Sequence, residues 1–540
     1  MFFKSFAVAA GAVSLAAAAA FAQGTPTFTP AAFRAHVEFL ADDRLQGRDA
    51  GTPGYDAAAR YVADRFAALG LKPAANGSWF QPVRFAEYQL GGAPSEVRIG
   101  DRRFAGGKEV VVWADAVSGP PSVEAPVVFV GHGLDLPERG INDYAGLDVR
   151  GKIVAILAGA PKGLPSDVAA HVTSEKTRMA ERRGAIGTIA IRTETAARQS
   201  PWPRLVASST KPQLTWLAPD GRPYSPAPGV RFAATFDTPA AEALFAGAPR
   251  SLAQVFAAAA QGTSVKGFAL PHRVRMERHV TSRPFSSPNV VAMLPGSDPA
   301  LAGEYVLLMG HLDHIGVERE GPGDRINNGA MDNASGIATM LEVARAMATS
   351  GKRPRRPILF AAVTAEEDGL LGAQYLAKNP VVAGGKVVGV VNLDMPVLLY
   401  DFTDVIAFGA EHSTLGPIVA RAGAGMGVKL AQDPLPQEGL FTRSDHYRFV
   451  QEGIPSVFLM TGFANGGEAK FTEFLQRHYH RPSDQLDLPF DWNAGAKFAR
   501  INYLIARDIA DAPQAPLWYA GSFFGETFAA GQPKARAGGQ

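Results

Sequence analysis

The sequence predicts an α/β protein: a three-layer α/β/α sandwich built on a mixed, largely parallel sheet, with a second α/β module inserted into it. From residue 287 onward, near-continuous apolar runs alternate with helix-type segments, as in strands that are covered on both faces. At 540 residues, the chain is longer than one ordinary domain. Between residues 126 and 266 the pattern changes to short apolar runs separated by Gly- and Asp-rich sequence, which indicates the inserted module.

The periodicity of apolar residues predicts the main elements in chain order. Helices are expected from residue 31, where Phe33, Val37 and Leu40 share one face, and again around Tyr61 and Phe66. The inserted module should contain strands at 127–130, 153–157 and 187–191 and a helix at 174–183. The main sheet should contain strands at 289–294, 305–309, 358–363 and 387–393, covered by helices around 337–347 and 498–509.

Five parts of the chain are therefore expected. They are a signal peptide at 1–22, the N-terminal part of the main domain at 31–125, the inserted domain at 126–266, the rest of the main domain at 267–525, and a flexible tail at 526–540.

The first residues have the three features of a secretory signal peptide. Lys4 gives a positive start, a run of small and apolar residues follows, and Ala20-Phe21-Ala22 fits the rule for signal peptidase cleavage. The run is short for a membrane anchor, which is the alternative interpretation. We therefore expect cleavage after Ala22 and a secreted or periplasmic protein, and no later stretch is predicted to span a membrane.

Composition narrows the classes of partner. The net charge is +2 from 53 basic and 51 acidic residues, so there is no electrostatic case for nucleic-acid binding. The chain has no cysteine, so neither disulfides nor attachment of lipid to a cysteine is expected. The oligomeric state is not indicated by the sequence.

Residues of the kinds that bind metals follow several of the predicted strands. In open α/β sheets, ligands bind outside the carboxyl ends of the strands, so these residues are expected to converge. Each one alone has an ordinary explanation, such as a helix cap for an aspartate that begins a helix. Their coincidence at separate strand ends is what indicates a metal site. The residues are His311 and Asp313 after the second strand, Asp332 at the start of a helix, Glu366 and Glu367 after the third strand, Asp394 after the fourth strand, and His480 in a later loop.

The motifs around these residues resemble those of the di-zinc aminopeptidase family of metallopeptidases, whose relatives include glutamate carboxypeptidases and glutaminyl cyclases. The matching segments are 310–316, 327–336, Glu366-Glu367, 392–394 and 479–484. The turn-rich segment 47–54 resembles the bacterial leucyl-aminopeptidase branch, and the region 126–266 resembles its inserted protease-associated domain. The resemblance thus implies the zinc exopeptidase type of α/β/α sandwich.

The resemblance also implies a pair of Zn²⁺ ions per chain. One ion would take His311 and Asp394, the other Glu367 and His480, and Asp332 would bridge them. Three carboxylates and a bridging hydroxide would balance the charge of two zinc ions.

Catalytic roles follow from the same resemblance. Glu366 is implied as the general base that acts on the bridging hydroxide, and Asp313 as the residue that orients the imidazole of His311. Tyr447 is a candidate for stabilising the oxyanion, and the alternative is that it anchors its loop. His314 and His478 are further histidines close to the motifs, for which an ordinary loop position is the alternative.

The implied activity is that of an aminopeptidase, a zinc metallopeptidase that removes N-terminal residues from peptide substrates. Two alternatives remain open from the residues. A carboxypeptidase or a glutaminyl cyclase would share the motifs, and a receptor-like scaffold without catalysis would be a relative that has lost its metals.

Overall fold

The computed structural model describes residues 26–92, 95–117, 119–262, 265–382 and 384–537. The predicted signal peptide at 1–22 lies outside these residues. The described chain divides into two compact units. Unit 1 contains the described residues up to Pro82, Ser287–Pro434 and the described residues from Ser444 onward, and unit 2 contains Val83–Ser286 and Leu435–Arg443.

Fourteen α-helices occur in the described residues. They are α1 Pro30–Leu40, α2 Pro53–Ala68, α3 Ser166–Arg182, α4 Glu194–Gln199, α5 Trp202–Ser209, α6 Thr238–Phe245, α7 Leu252–Ala260, α8 Ser335–Thr349, α9 Leu371–Lys378, α10 Leu415–Ala424, α11 His446–Val450, α12 Gly467–Arg477, α13 Trp492–Asp511 and α14 Phe523–Phe528. Short 3₁₀ turns span Asp43–Arg48, Pro137–Arg139, Pro299–Leu301, Ala410–His412, Pro436–Glu438 and Leu440–Thr442, and a π-type turn spans Ala330–Ala334.

The strands of the same residues are β1 Lys72–Pro73, β2 Phe80–Leu90, β3 Glu96–Ile99, β4 Arg102–Ala105, β5 Val110–Val112, β6 Ser122–Phe129, β7 Asp135–Leu136, β8 Ile141–Asn142, β9 Ile153–Leu157, β10 Gly187–Ile191, β11 Gln213–Trp216, β12 Phe232–Phe236, β13 Phe268–Glu277, β14 Val280–Leu294, β15 Glu304–His311, β16 Ile358–Val363, β17 Lys386–Leu393, β18 Asp404–Phe408, β19 Lys429–Ala431 and β20 Ser456–Thr461.

The sheet of unit 1 is mixed, with a parallel centre, as predicted. Its strands follow the order β14-β16-β15-β17-β20-β18-β19. The central strands β16, β15, β17 and β20 are parallel to one another, whereas β14 and β18 pair antiparallel with β16 and β20. The carboxyl ends of the four central strands therefore lie along one edge of the sheet.

Helices cover both faces of this sheet, which completes the predicted three-layer sandwich. The helices α1, α8 and α13 pack against one another, and α8 and α13 contact β15. On the other face, Ala373 and Leu376 of α9 and Phe449 of α11 join the buried core with side chains from β15 and β16. Every residue of β16 is buried, which explains why its sequence is an unbroken apolar run.

The N-terminal helices begin as their sequences predict. Thr29 and Thr52 each precede a proline, and their hydroxyl oxygens accept backbone N–H groups of the first turns of α1 and α2. Phe33, Val37 and Leu40 of α1 are all buried, in agreement with the helical spacing of the apolar residues.

Unit 2 is larger than the predicted insertion at 126–266. Its main sheet has eight strands in the order β4-β3-β13-β6-β9-β10-β12-β5, with β6, β9, β10 and β12 parallel. The strands β3, β4 and β5 precede residue 126 but belong to this sheet. Strand β3 pairs with β13 and β5 pairs with β12, both distant in the chain, and β4 pairs with β3. The predicted boundaries at 125/126 and 266/267 are therefore wrong, and the unit also takes in Leu435–Arg443, which packs against α3.

The predicted flexible tail at 526–540 is also corrected. Helix α14 spans the predicted boundary, and Phe523 and Phe524 are buried. The backbone of Ala535 then donates to the carbonyl of Trp518 and accepts the N–H of Ala520. Buried aromatic side chains and backbone pairing thus hold this region as far as Ala535. Among the described residues, none of the helices is both long enough and apolar enough to cross a membrane.

Candidate metal centre

The metal-type residues meet at the carboxyl edge of the parallel strands. His311 is the last residue of β15 and lies opposite Val363, the last residue of β16. Glu366 and Glu367 follow β16, and Asp394 follows β17. The parallel register places these strand ends side by side, so the loops after them face one another.

Asp332 occupies the middle of the cluster. It lies in the π-type turn before α8, and its side chain is 5% exposed. One carboxylate oxygen, Oδ1, is 3.2 Å from Nε2 of His311, and the other, Oδ2, is 3.3 Å from Nε2 of His480. A single carboxylate therefore faces two histidines with its two oxygens.

Each histidine also faces a second carboxylate. Nε2 of His311 is 3.1 Å from Oδ1 of Asp394, and Nε2 of His480 is 2.9 Å from Oε2 of Glu367. Glu366 lies near the first histidine, with 4.0 Å between its Oε2 and Nε2 of His311. The structure thus brings together all five predicted ligands and the predicted base.

In each of two groups of residues, the potential ligand atoms are close enough together to bind one metal ion. Oxygens and nitrogens of His311, Asp332 and Glu367 lie within 4.8 Å of one another, and so do those of His311, Glu366 and Asp394. Carboxylates combined with imidazoles are a donor set that suits zinc. The side chains therefore fit a pair of neighbouring metal ions, with His480 as an additional ligand beside Asp332 and Glu367.

The electrostatics of the cluster favour positive charge. Burial alone would lower the pKa of His480, but hydrogen bonds with Asp332 and Glu367 raise it to about 10. Burial and the charge of Asp332 oppose ionisation of Glu367, yet His314 and His480 lower its pKa to about 2. Buried carboxylates that hold cationic partners so strongly form the environment that a metal cation requires.

Asp313 contacts His311 and both adjacent glutamates. Nδ1 of His311 is 3.1 Å from the backbone carbonyl oxygen of Asp313, so this carbonyl orients the imidazole. The Asp313 carboxylate instead accepts the backbone N–H groups of Glu366 at 3.1 Å and Glu367 at 3.2 Å. Asp313 therefore contacts His311 through its backbone, and its side chain is directed towards the loop after β16.

The sequence did not indicate the functional importance of several polar residues around the ligands. Ser444 donates a hydrogen bond to Oδ2 of Asp394 and accepts one from Asn392. The carboxylate of Asp484 accepts the backbone N–H groups of Met331 and Asp332 at 2.8 and 3.0 Å. Asp484 lies in the matching motif 479–484, whereas Ser444 lies outside the motifs. The partners of both residues are distant in sequence, so only the fold reveals these contacts.

The remaining candidates have distinct positions. Nδ1 of His314 is 2.6 Å from Oε1 of Glu367, so this histidine supports a predicted ligand. His478 directly follows α12 and is half-buried, with its Nδ1 3.0 Å from the hydroxyl of Ser483. Tyr447 is buried in α11, where its ring meets the edge of the Phe524 ring with 6.3 Å between centroids. Its role at an oxyanion stays a prediction.

Tyr479 is an aromatic neighbour of the cluster that the sequence did not single out. Its ring stacks on the imidazole of His480, with 3.9 Å between the centroids. Burial first, and then the charges of Asp332 and Glu367, raise the pKa of Tyr479 far above its usual value. Its hydroxyl therefore stays protonated beside the carboxylates and is able to donate a hydrogen bond.

Comparison with known proteins agrees with this geometry. Residues 289–506 match the model of peptidase family M28. Leupeptin-inactivating enzyme 1 of Streptomyces exfoliatus is 33% identical over 182 residues, which cover 32% of this chain and 36% of that protein. A probable zinc metalloprotease of Pyrenophora teres f. teres is 38% identical over 117 residues, which cover 21% of this chain and 23% of that protein.

A solved structure shares the fold along most of the chain. The aminopeptidase from Aneurinibacillus sp. strain AM-1 aligns with a TM-score of 0.51 and 21% identity, covering 91% of this chain and 95% of that one. In contrast, the chain spans only 36% and 23% of the length of the two curated relatives. The residues that match the model of peptidase family M28, 289–506, contain all five predicted metal ligands.

Proposed function

We propose that the protein is a zinc-dependent exopeptidase with two Zn²⁺ ions per chain, and that it acts as an aminopeptidase on peptide substrates. The observation that supports this most directly is the position of Asp332, whose two carboxylate oxygens face His311 and His480 separately. A carboxylate with one oxygen directed to each of two imidazoles has the arrangement needed to bridge two ions.

The ligands divide around this bridge. His311 and Asp394 would complete one zinc site, and Glu367 and His480 the other, in each case with one oxygen of Asp332. Three carboxylates supply three negative charges against the four positive charges of two zinc ions. Each ion would have three protein ligands, which would leave coordination positions for water or substrate, as in catalytic zinc sites.

Bound zinc would lower the pKa of a water molecule and polarise the carbonyl group of the scissile bond. Glu366 supplies the proton transfer. Burial raises the pKa of Glu366 well above its usual range, with Asp394 and Asp445 adding to the effect and His311 opposing it. Glu366 is not one of the ligands in this division of the cluster, so its Oε2 would be free to take the proton of the attacking water and later return it to the leaving amine.

Asp313 keeps the two adjacent glutamates in different roles. Its carboxylate accepts both of their backbone N–H groups and so fixes the backbone of the loop after β16. With that backbone fixed, the side chain of Glu367 reaches His480 and the side chain of Glu366 reaches the His311 side of the cluster. The base and the ligand therefore do not exchange positions.

Three further proposals concern the whole protein. The names of the relatives, an enzyme that inactivates leupeptin and a probable zinc metalloprotease, support action on peptides. We infer that unit 2 is a protease-associated domain, supported by its parallel strands β6, β9, β10 and β12 between two parts of unit 1. We also propose secretion or transport to the periplasm, which rests on the sequence at 1–22.

The proposal is tested with purified full-length protein. Elemental analysis should find two zinc ions per chain, and a panel of aminoacyl reporter substrates should be hydrolysed. Chelation should abolish hydrolysis and added zinc should restore it. N-acetylated versions of the same substrates should be resistant, because an aminopeptidase requires a free amine. Hydrolysis that persists without metal, or a preference for blocked substrates, would contradict the proposal.

A further inference from the structure

Arg48 is a fully buried arginine that no part of the proposed chemistry uses. It is 1% exposed, and within the described part of the chain its guanidinium donates hydrogen bonds to backbone carbonyl groups. Nε donates to Leu312 at 3.0 Å, one terminal nitrogen to Asn328 at 2.6 Å and to Leu40, and the other to Gly329 at 3.1 Å.

These carbonyl groups belong to the loops that carry two ligands. Leu312 directly follows His311, the last residue of β15. Asn328 and Gly329 immediately precede the turn that contains Asp332. One planar guanidinium therefore joins the loop of a terminal ligand to the loop of the bridging ligand, and its rigid fork fixes the distance between them.

The backbone of residues 47 and 48 also forms hydrogen bonds with the loop after β15. The carbonyl of Arg48 accepts the N–H of His314 at 3.3 Å, and the carbonyl of Gly47 accepts the N–H of Gly316 at 3.1 Å. Together with the bond to Leu312, these contacts hold every second residue of the loop after β15. Gly47 is required for this approach, because a Cβ there would lie 2.5 Å from the carbonyl oxygen of Gly316.

The segment adopts an uncommon conformation to make these contacts. Gln46, Gly47 and Arg48 have φ values of 48°, 70° and 49°, and only glycine adopts the left-handed region without strain. Two strained residues that are not glycine persist only where the surroundings enforce them, and such residues cluster at functional sites. With this backbone the Arg48 side chain is buried, and its guanidinium reaches the carbonyl groups of Leu312 and Gly329.

The charge of Arg48 also suits this position. Burial lowers its pKa to about 10, while Asp484, Asp313 and Asp332 act in the opposite direction, so it remains charged at neutral pH. A fixed cation near several buried carboxylates allows them to remain ionised as ligands. Because the guanidinium bonds carbonyl groups of the described residues, it supplies this charge without occupying a carboxylate oxygen there.

We propose that Arg48 is a positioning residue of the metal centre, which fixes the loops of His311 and Asp332 at the separation that a pair of metal ions requires. The inference rests on the proposed zinc function. It concerns a residue outside the family match at 289–506, so the metal centre depends on the N-terminal part of the chain as well.

The test measures zinc binding by the metal-free full-length protein in competition with a chromophoric chelator. Arg48→Lys keeps the charge but loses the planar guanidinium that donates to several carbonyl groups. The affinity for zinc should therefore fall ~10–100-fold, as is typical when a partner of a metal ligand is lost. Gly47→Ala is a second variant that keeps Arg48 and displaces the segment from Gly316. It should weaken zinc binding in the same direction, which keeps the proposal testable if Arg48→Lys does not fold.

Arg356→Lys is the matched control. Arg356 is also 1% exposed and bonds the carbonyls of Ile509 and Ala512, but it precedes β16, at the other end of that strand from the site. Both lysine variants should lower the thermal stability of the metal-free protein, and only Arg48→Lys should lose zinc affinity. The inference is overturned if Arg48→Lys and Gly47→Ala bind zinc like the wild type, or if Arg356→Lys loses as much affinity. Failure of the wild type to bind zinc would instead refute the proposed function.

Discussion

The hydroxyl of Ser444 donates a hydrogen bond to Oδ2 of Asp394, the carboxylate oxygen opposite the one that faces His311. Asn392, near the end of β17, donates to the same hydroxyl at 2.6 Å. This chain of hydrogen bonds leaves Oδ1 of Asp394 as the oxygen directed to the metal site. Ligating carboxylates in metalloproteins are commonly fixed in this way by a second hydrogen bond.

Replacement of Ser444 should therefore weaken the zinc site without removing a ligand. Ser444→Ala frees Oδ2 of Asp394, so we expect zinc affinity or activity to fall ~10–100-fold. Chelator competition and steady-state kinetics measure the two effects. Ser456→Ala is the control, because Ser456 is also buried but donates to the carbonyl of Ile454. Equal losses in both variants would show a general packing effect and contradict the prediction.

Replacement of Asp332 should reduce the number of bound ions. Asp332→Ala removes the carboxylate between His311 and His480 and leaves two cations close together without a shared anion. We expect at most one zinc ion per chain by elemental analysis. Asp324→Ala serves as the control, since Asp324 lies in an exposed loop and bonds Gln485. Two zinc ions per chain in Asp332→Ala would rule out the bridging role.

Replacing each of the two adjacent glutamates with glutamine should have a different effect. Glu366→Gln cannot accept a proton, so kcat should fall by ~10²–10⁴ while zinc content stays the same. Glu367→Gln should lose or weaken one zinc ion, with partial recovery of activity in excess zinc. Parallel measurement of zinc content and kcat separates the two roles. The reverse pattern would show that base and ligand are exchanged, and near-full activity of Glu366→Gln would refute the general-base mechanism.

Unit 2 should lose stability in acid through a buried histidine. Burial and Arg178 lower the pKa of His171 from 6.5 to about 4, although Asp167 opposes them. The unfolded chain then binds a proton that the folded chain does not, so this contribution is full above pH 6.5 and is lost as the pH falls towards 4. At ~1.4 kcal/mol per pKa unit the loss amounts to about 3 kcal/mol.

Urea unfolding between pH 4 and pH 7, followed by tryptophan fluorescence, checks this expectation. His171→Leu should flatten the dependence of the free energy of unfolding on pH over that range. His279→Gln, at an exposed histidine of the same unit, should leave the dependence unchanged. An unaltered slope in His171→Leu would show that the acid sensitivity arises elsewhere.

The proposed export has a direct test as well. The mature protein should begin at Gln23 and be found outside the cytoplasm, because signal peptidase would cut after Ala22. Mass spectrometry of the native protein measures the N-terminus. A mass that includes residues 1–22 would contradict cleavage at this position.

Local sequence was sufficient for much of the fold. The strands β9, β10 and β16 have the predicted bounds because each is a short apolar run that ends where polar or turn residues begin. The limits of unit 2 could not be predicted in this way. The strands β3 and β4 are short and half polar, and they join that unit through pairing that ultimately depends on β13, which is far away in the chain.

The candidate site could also be predicted only in part from local sequence. The ligand residues could be predicted because His311, Glu367 and Asp394 follow strands whose carboxyl ends lie at the same edge of the sheet. The contacts of the Asp313 carboxylate could not be predicted, since they depend on the direction in which the chain turns after β15. Arg48 was visible only as part of a motif, because its contacts require left-handed backbone angles that sequence periodicity does not encode.

The small segment Leu435–Arg443 limits how freely unit 2 can be exchanged between proteins. It lies within the part of the chain that builds unit 1, yet it packs on α3 and ends directly before Ser444. A transplanted or shortened version of residues 83–286 would leave this segment without its packing partner, one peptide bond from a residue that holds Asp394. The two units are therefore not modular, and their sequences should diversify together in evolution rather than recombine as separate parts.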